Sequence, residues 1–151
     1  MIRLALSHAR RGDILVIAAQ GNSGYAYWGG DMSRQAQNAG VLAVVIDGAA
    51  RDAQEVKELG FPVFARATAT AHAPLDAPWG EINSPVACGH IVVSPGDIVV
   101  ADEDGVVAIP PPDVDAVADT VDSFEGFEFP PIDGIYQRML GQGLVVDTDS
   151  A

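Results

Sequence analysis

Two adjacent residues, Arg51 and Asp52, carry side chains that together could bind a small organic acid and a cation. Arginine presents a planar guanidinium that fits a carboxylate through two parallel hydrogen bonds. Aspartate is a hard oxygen ligand, and Mg²⁺ or Mn²⁺ often takes only one or two carboxylates and keeps several waters. We therefore predict Asp52 as the metal ligand and both residues as catalytic, with Arg51 also binding the substrate.

A second candidate segment is Gly29-Gly30-Asp31-Met32, at the start of a predicted helix that runs from Asp31 to Ala39. Glycines there let a ligand approach the backbone closely. The N–H groups of a first helical turn have no acceptor inside the helix, and they suit a carboxylate. We predict that Gly29, Gly30, Asp31 and Met32 contribute to substrate binding.

A purely structural interpretation of Asp52 is also open. Asp52-Ala53-Gln54-Glu55 has the form of a capping box, in which Asp52 caps a helix and Glu55 lies three residues later. Arg51 would then be a surface residue paired with Glu55. Both roles are compatible, because one oxygen of the aspartate can cap while the other faces a metal-bound water.

The elements that must position these residues alternate in the first half of the chain. We predict strands over Ile14–Ala19, Val41–Ile46 and Phe61–Ala65, with helices over Asp31–Ala39 and Asp52–Leu59 between them. This alternation favours a parallel sheet with crossover helices, and such sheets bind ligands at the carboxyl ends of their strands. Arg51 and Asp52 follow the middle strand and a loop over residues 47–51.

The second half is predicted to consist of short strands and one late helix. The strands are 85–87, 91–93, 98–101 and 106–109, and the turn Asp102-Glu103-Asp104-Gly105 joins the last two as a hairpin. That turn lacks the length and later ligands of a calcium loop. After Pro110-Pro111-Pro112 we predict a helix over 113–121 and a proline-rich, acidic tail. Because this segment is too small for a second domain, we predict that 113–151 is not a separate domain.

The stretch from Gly12 to Pro110 resembles the RraA-like family, which includes class II 4-hydroxy-4-methyl-2-oxoglutarate/4-carboxy-4-hydroxy-2-oxoadipate aldolases and RraA regulators of ribonuclease E. The spacing that carries the resemblance is Gly30, twenty residues, Arg51-Asp52, two residues, and Glu55. Flanking phrases that look like the family's own are Val44 to Asp52, Phe61 to Arg66, Pro95-Gly96-Asp97 and Val100 to Val107.

The resemblance implies a three-layer β/β/α swivelling domain over residues 1–112, assembled as homotrimers or hexamers. It implies a metal-dependent lyase that releases pyruvate from a 4-hydroxy-2-oxo acid, and decarboxylation of oxaloacetate is expected because it passes through the same enolate. In the aldolases, the positions of Arg51 and Asp52 hold the pyruvyl group and the metal. Two features depart from the pattern: many relatives have an acidic residue at Gly30, and relatives usually begin well before Met1, as if this chain were N-terminally shortened.

Two rival functions remain open. A non-catalytic RraA-type regulator would bind a ribonuclease or another protein, and the motif at Arg51 does not discriminate, because regulators share it. A Schiff-base aldolase would need a desolvated lysine, whereas Lys57, the only lysine, lies on an exposed-looking helix. A methyltransferase is disfavoured, because no glycine-rich nucleotide loop is followed by a suitable acidic residue.

Charge and composition exclude several classes of protein. The net charge is −13, and residues 97–151 carry thirteen acidic residues against Arg138 alone, so nucleic-acid binding is not expected. Apolar runs are too short to cross a bilayer, no secretory signal is recognised and Cys88 is the single cysteine, which together predict a cytoplasmic protein. Cys88 is predicted to be structural. The histidines lack metal-ligand spacing and are predicted to be turn or surface residues: His8, His72 and His90.

Overall fold

A three-stranded parallel sheet forms the centre of the computed structural model, which describes residues 1–74 and 80–126. The strands are β1 (Ile14–Trp28), β2 (Ala43–Ala50) and β3 (Val63–Thr68), in the order β1-β2-β3. All residues of the middle strand are buried, as predicted for a continuous apolar run covered on both faces.

Three helices cover one face of this sheet: α1 (Ile2–His8), α2 (Gly30–Ala39) and α3 (Ala53–Leu59). Their contacts with the sheet form the larger apolar core, whose buried members include Leu6, Trp28, Ala36, Val44, Ile46 and Phe61. The rings of Trp28 and Phe61 stack with centroids 6.4 Å apart. Helices α2 and α3 end at Gly40 and Gly60, both in the left-handed conformation that glycine adopts at low cost.

Two β-hairpins pack against the opposite face of the sheet. They are formed by β4 (Val86–Cys88) with β5 (Ile91–Val93) and by β6 (Ile98–Ala101) with β7 (Val106–Ile109), both antiparallel. Val45 of β2 meets Cys88 and Val93 in this second core, with Val99 and Ala108 packed around them. The result is a mixed α/β fold with three layers, β, β and α, which confirms the expected fold class.

Beyond β7 lie a 3-10 turn (Pro111–Asp113) and helix α4 (Val114–Ser123), close to the predicted helix over 113–121. The chain divides into two compact units, Met1–Val114 and Asp115–Ala151. The predicted tail lies, from residue 127 onward, outside the described residues. None of the helices in the described part is long and apolar enough to cross a membrane.

The first two strands are longer than predicted. Strand β1 was predicted to end at Ala19, but it continues through the glycine-rich segment Gln20–Gly24 with register shifts against β2, and Gln20 and Gly21 have positive φ. The loop predicted over residues 47–51 is wrong for its first four residues, because β2 extends to Ala50. Helix α1 was not predicted.

Candidate active site at the end of the middle strand

Arg51 and Asp52 lie at the junction between β2 and α3. The Arg51 N–H donates to the carbonyl oxygen of Trp28 at 2.9 Å, which ties the end of β2 to the end of β1. Asp52 then adopts a left-handed backbone conformation, with φ 57° and ψ 36°. This conformation is uncommon outside glycine, although aspartate tolerates it better than most residues. The sharp turn separates the strand from the helix by only two residues, Arg51 and Asp52.

The Asp52 carboxylate has one fixed oxygen and one free oxygen. Its Oδ2 accepts a hydrogen bond from the Gly30 N–H at 3.0 Å and lies 3.3 Å from Arg51 Nε. Its Oδ1 has no hydrogen bond to any residue in the described ranges, and the side chain is 38% exposed. A carboxylate held through one oxygen, with the other open to solvent, fits a divalent cation that keeps most of its waters.

The capping-box interpretation is wrong in its side-chain contacts. Asp52 occupies the N-cap position of α3, but its side chain makes no hydrogen bond to that helix. It binds the N–H of Gly30, 22 residues earlier in the chain, instead. Glu55 pairs with Arg34 of α2 rather than with Arg51. Both acidic side chains therefore connect α3 to α2.

Gly29 and Gly30 lie where side chains of neighbouring elements approach the backbone closely. A Cβ atom on Gly29 would lie 2.6 Å from Asp52 Oδ2 and 2.9 Å from Arg51 Cγ, and one on Gly30 would overlap the Glu55 carboxylate. The backbone of Gly29 is extended, with φ −168°, so its requirement is steric rather than conformational. Glycines at this turn let the start of α2 come within hydrogen-bonding distance of Asp52.

A buried hydrogen-bond network holds the Gly29-Gly30 turn in place. Trp28 Nε1 donates to Ser33 Oγ at 2.8 Å, and Ser33 donates to the Gly29 carbonyl through both its hydroxyl and its N–H, each at 3.0 Å. Trp28 is 2% exposed and Ser33 is fully buried. Buried polar groups that are fully paired hold one geometry, and here they hold the Gly29-Gly30 turn against Asp52.

Asp31 and Met32 do not line the cavities beside Arg51 and Asp52. The Asp31 carboxylate accepts from Gln35 Nε2 at 2.9 Å and lies 3.9 Å from Arg3, and Met32 packs against the larger core. The N–H of Gly30, expected to be open to a substrate carboxylate, donates to Asp52. Of the four predicted positions, Gly30 is the one that donates a hydrogen bond to Asp52.

A polar cavity of about 620 Å³ opens beside the pair. It is lined by Arg51 and Asp52 together with residues of β1 and of the chain leaving β3: Gly24, Thr68, Ala69, Thr70 and Ala71. The last four were missed in the sequence. Thr68 is the last residue of the neighbouring parallel strand and the other three follow it, so their position at its carboxyl end was the available signal.

A second ion pair lies beside the core formed by Val45, Cys88 and Val93, away from this cavity. Asp47 of β2 is nearly buried and pairs with Arg66 of β3. Burial raises the pKa of the Cys88 thiol, and the negative charge of Asp47 adds to the effect. Cys88 is therefore a protonated, buried thiol at neutral pH, which agrees with its predicted structural role.

The histidines occupy exposed positions. His8 and His72 bond to nearby backbone carbonyls through Nδ1, at 2.9 Å and 2.8 Å, and His90 has φ 73° in a hairpin turn. Within residues 1–74 and 80–126, no three His, Cys, Asp or Glu side chains form a cluster that could hold a metal. Any metal site at Asp52 would therefore depend on one carboxylate and on water.

Comparison with known proteins places this geometry in context. A family model described as RraA-like, Aldolase/RraA, matches residues 1–108. A Thermus thermophilus protein named 4-hydroxy-4-methyl-2-oxoglutarate aldolase is 32% identical over 112 residues, which are 74% of this chain and 68% of that protein. A Halalkalibacterium halodurans protein, provisionally given the same name, is 41% identical over 106 residues, which are 70% of this chain. The chain spans 50% of the length of that second relative.

A solved structure gives a matching fold. A Streptomyces coelicolor protein, described as an unusual member of the RNase ES inhibitor RraA protein family, aligns with a TM-score of 0.75 and 31% identity. The match covers 91% of this chain and 67% of that one. The relatives therefore include proteins named for lyase chemistry and a protein named for inhibition of a ribonuclease.

Proposed function

Because the chain belongs to the RraA-like family, we propose that it is a divalent-metal-dependent lyase that cleaves a 4-hydroxy-2-oxo acid and releases pyruvate. The observation that carries this proposal is the arrangement of Arg51 and Asp52. The two side chains touch at 3.3 Å, are both about two-fifths exposed, and open on one cavity. The relatives named as aldolases support the same class of reaction.

Arg51 would orient the substrate. Its Nε lies against Asp52, and its terminal nitrogens have no partner among the described residues, so they can donate to the carboxylate and oxo oxygen of a 2-oxo acid. The C4 hydroxyl loses its proton to water as the C3–C4 bond breaks, so that C4 becomes a carbonyl carbon and the electron pair left on C3 delocalises onto the C2 oxygen as an enolate. Protonation of C3 by water then gives pyruvate. A fixed guanidinium beside that oxygen favours the charge that develops there.

Asp52 is the residue that would hold Mg²⁺ or Mn²⁺, through its free Oδ1. When bound, the cation supplies Lewis acidity that stabilises negative charge on the substrate oxygen. The hydrogen bond from Gly30 and the contact with Arg51 hold Asp52 Oδ2, so the carboxylate keeps one orientation. Loss of carbon dioxide from oxaloacetate leaves the same enolate, and we propose that activity as well.

The test is release of pyruvate from oxaloacetate and from 4-hydroxy-4-methyl-2-oxoglutarate, with Mg²⁺ and with EDTA. We expect turnover that EDTA abolishes, and loss of turnover in Arg51→Ala and Asp52→Ala with an unchanged circular dichroism spectrum. Arg10→Ala and Asp104→Ala are matched controls at exposed positions and should retain activity. Turnover within tenfold of wild type in either site variant would remove the assignment.

A regulator is the second candidate, favoured by the Streptomyces coelicolor relative. Such a protein would bind a ribonuclease or another protein, and its acidic residues after position 97 would face a basic surface of the partner. Silence on several oxo acids, with and without metal, would favour this function. We also propose that the protein is cytoplasmic. We further propose that it assembles as a homotrimer or hexamer, and light scattering after gel filtration measures the mass of that assembly.

A further inference from the structure

Lys57, the only lysine in the chain, has no acidic residue at the positions where a helix forms its ion pairs. In a helix, charged side chains pair with residues three or four positions away. Around Lys57 those positions hold Ala53, Gln54, Gly60 and Phe61. In the part of the chain that the structure describes, its ammonium group makes no ion pair and no hydrogen bond. In a chain with a net charge of −13, this cation is therefore open to an external anion.

A second cavity, of about 390 Å³, lies between α3 and β3, and Lys57 lines it together with Arg51. We call this cavity the α3–β3 groove. Ala53, Val56 and Lys57 share one face of α3, because residues three and four positions apart in a helix are neighbours. Side chains in a helix lean towards its N-terminal end, so the lysine extends towards the end of α3 that follows Arg51. No acidic side chain of the described residues lines the groove, so both charges there are positive.

The α3–β3 groove adjoins the polar cavity that contains Asp52, because Arg51 and Thr68 line both. A ligand that binds Arg51 through one carboxylate therefore has its other end within reach of the groove. Thr68 is exposed, and its hydroxyl makes no hydrogen bond with any described residue. That hydroxyl is free to donate to an oxygen of the ligand.

We propose that Lys57 and Thr68 bind the second carboxylate of a dicarboxylic 2-oxo acid, whose first carboxylate and oxo group bind Arg51. The inference rests on the proposed lyase function, and it names the residues that select substrates with a carboxylate at the far end. The substrate tested above, 4-hydroxy-4-methyl-2-oxoglutarate, carries such a carboxylate on C4. Lys57 acts here through charge and hydrogen bonding, and it forms no covalent bond with the substrate.

The apolar part of the lining acts against this selection, so the two effects must be compared. Phe61, Val63 and Ala65 also line the groove, and a methyl group moved there from water gains about fourfold in affinity. An exposed ion pair such as that of Lys57 contributes up to about fivefold, and the hydrogen bond from Thr68 adds about fivefold. Because Lys57 is exposed, the carboxylate keeps part of its hydration. The two polar contacts together exceed the gain of a methyl group by about fivefold.

The experiment is calorimetric titration, with Mg²⁺ present, of 2-oxoglutarate and 2-oxopentanoate. Both acids have the same chain length and the same 2-oxo acid end, and they differ in ending with a carboxylate or a methyl group. Neither has a C4 hydroxyl, so neither is cleaved during the titration. We expect 2-oxoglutarate to bind about fivefold more tightly than 2-oxopentanoate, and this preference should shrink at high ionic strength, because salt screens exposed charges.

Variants assign the preference to the two residues. Lys57→Gln removes the charge at an exposed position and should bring the two affinities close together, whereas Lys57→Arg should retain the preference. Thr68→Val removes the hydroxyl with a side chain of the same shape that suits a strand, and it should also weaken the preference. Arg10→Gln is the matched control, because it removes the same charge from an exposed residue that does not line the groove.

Three results would overturn the proposal. A preference for 2-oxoglutarate that survives in both Lys57→Gln and Thr68→Val would show that the second carboxylate binds elsewhere. Equal affinities in the wild type, or tighter binding of 2-oxopentanoate, would show that the groove does not select a carboxylate; pyruvate release from oxaloacetate would then leave the lyase function intact. Absence of binding by either acid, together with absence of pyruvate release, would overturn the lyase function and the selection together.

Discussion

Replacement of Gly29 by alanine would test whether the close approach of α2 to Asp52 organises the site. The added Cβ would lie 2.6 Å from Asp52 Oδ2, whereas ordinary contacts of a carbon atom begin near about 3.5 Å. The carboxylate must therefore move by about 0.9 Å. Its 3.0 Å hydrogen bond from Gly30 would then stretch to nearly 4 Å, roughly 0.5 Å or more beyond the useful range.

The expected magnitude follows from this displacement. A misplacement of about 1 Å at a catalytic group costs about a hundredfold in rate, so kcat/KM for oxaloacetate should fall by about two orders of magnitude. The fold should survive, because Gly29 has an extended backbone that alanine also adopts. Loss of the Gly30 hydrogen bond, about 1.5 kcal/mol, is partly offset by the smaller backbone entropy of alanine in the unfolded chain. We expect Tm to change by less than about 5 °C.

The neighbouring glycine provides the matched comparison. A Cβ on Gly30 would overlap the Glu55 carboxylate, which is the exposed end of a flexible side chain and can rotate away. That movement breaks its surface ion pair with Arg34, worth at most about 1 kcal/mol. We therefore expect Gly30→Ala to lose less than tenfold in kcat/KM, measured by pyruvate release. Retention of wild-type activity within threefold in Gly29→Ala, or a larger loss in Gly30→Ala, would refute the steric argument.

Three further predictions concern the two cores. Trp28→Phe should lower the free energy of unfolding by about 2 kcal/mol or more, because it removes the hydrogen bond to Ser33 and leaves unfilled space; a change below 1 kcal/mol in urea titration would contradict this. Cys88 should react with a disulfide reagent at pH 8 far more slowly in the native protein than in urea. Asp47→Asn should speed the native reaction, because it removes the negative charge that helps raise the pKa of the thiol. An unchanged rate in this variant would show that Asp47 does not act on the thiol. Because the folded pKa of Cys88 lies above the unfolded value of about 9.0, its contribution to stability should be complete below pH 9 and lost as pH rises further; Tm measured between pH 8 and pH 10 should fall less steeply in Cys88→Ala.

Most elements could be predicted because they depend on local patterns, whereas the order of the layers was implied only by the family resemblance. The apolar run in β2, the glycines that end α2 and α3, and the turn at residues 102–105 each act within a few residues. The loop wrongly predicted at Asp47 shows the limit of such patterns. Asp47-Gly48 resembles a turn, but Asp47 pairs with Arg66, and a Cβ on Gly48 would lie only 2.7 Å from Ala19 Cβ. These long-range contacts keep both residues in the strand.

The candidate site was also predictable only in part from the sequence. The adjacency of Arg51 and Asp52 at the end of a strand was evident in the sequence, and the structure brings their side chains together. The hydrogen-bond partner of Asp52 was not evident, because the same local sequence is compatible with a capping box and with a hydrogen bond from Gly30. Only the tertiary packing distinguishes the two. Thr68 and Thr70 were also missed, since only the strand order places them opposite Arg51.

The left-handed backbone at Asp52 sets the demands of helix stability and of chemistry against each other. The start of α3 goes without the cap that this aspartate could supply, and an unfavourable turn is retained, each at a cost of about 1 kcal/mol. Glycine at this position would relieve the turn and leave a more durable protein that has lost its proposed cation ligand. Selection for thermal tolerance alone would therefore be expected to replace Asp52 early. A screen that measures only the yield of folded protein would likewise favour variants that lack the residue on which the proposed reaction depends.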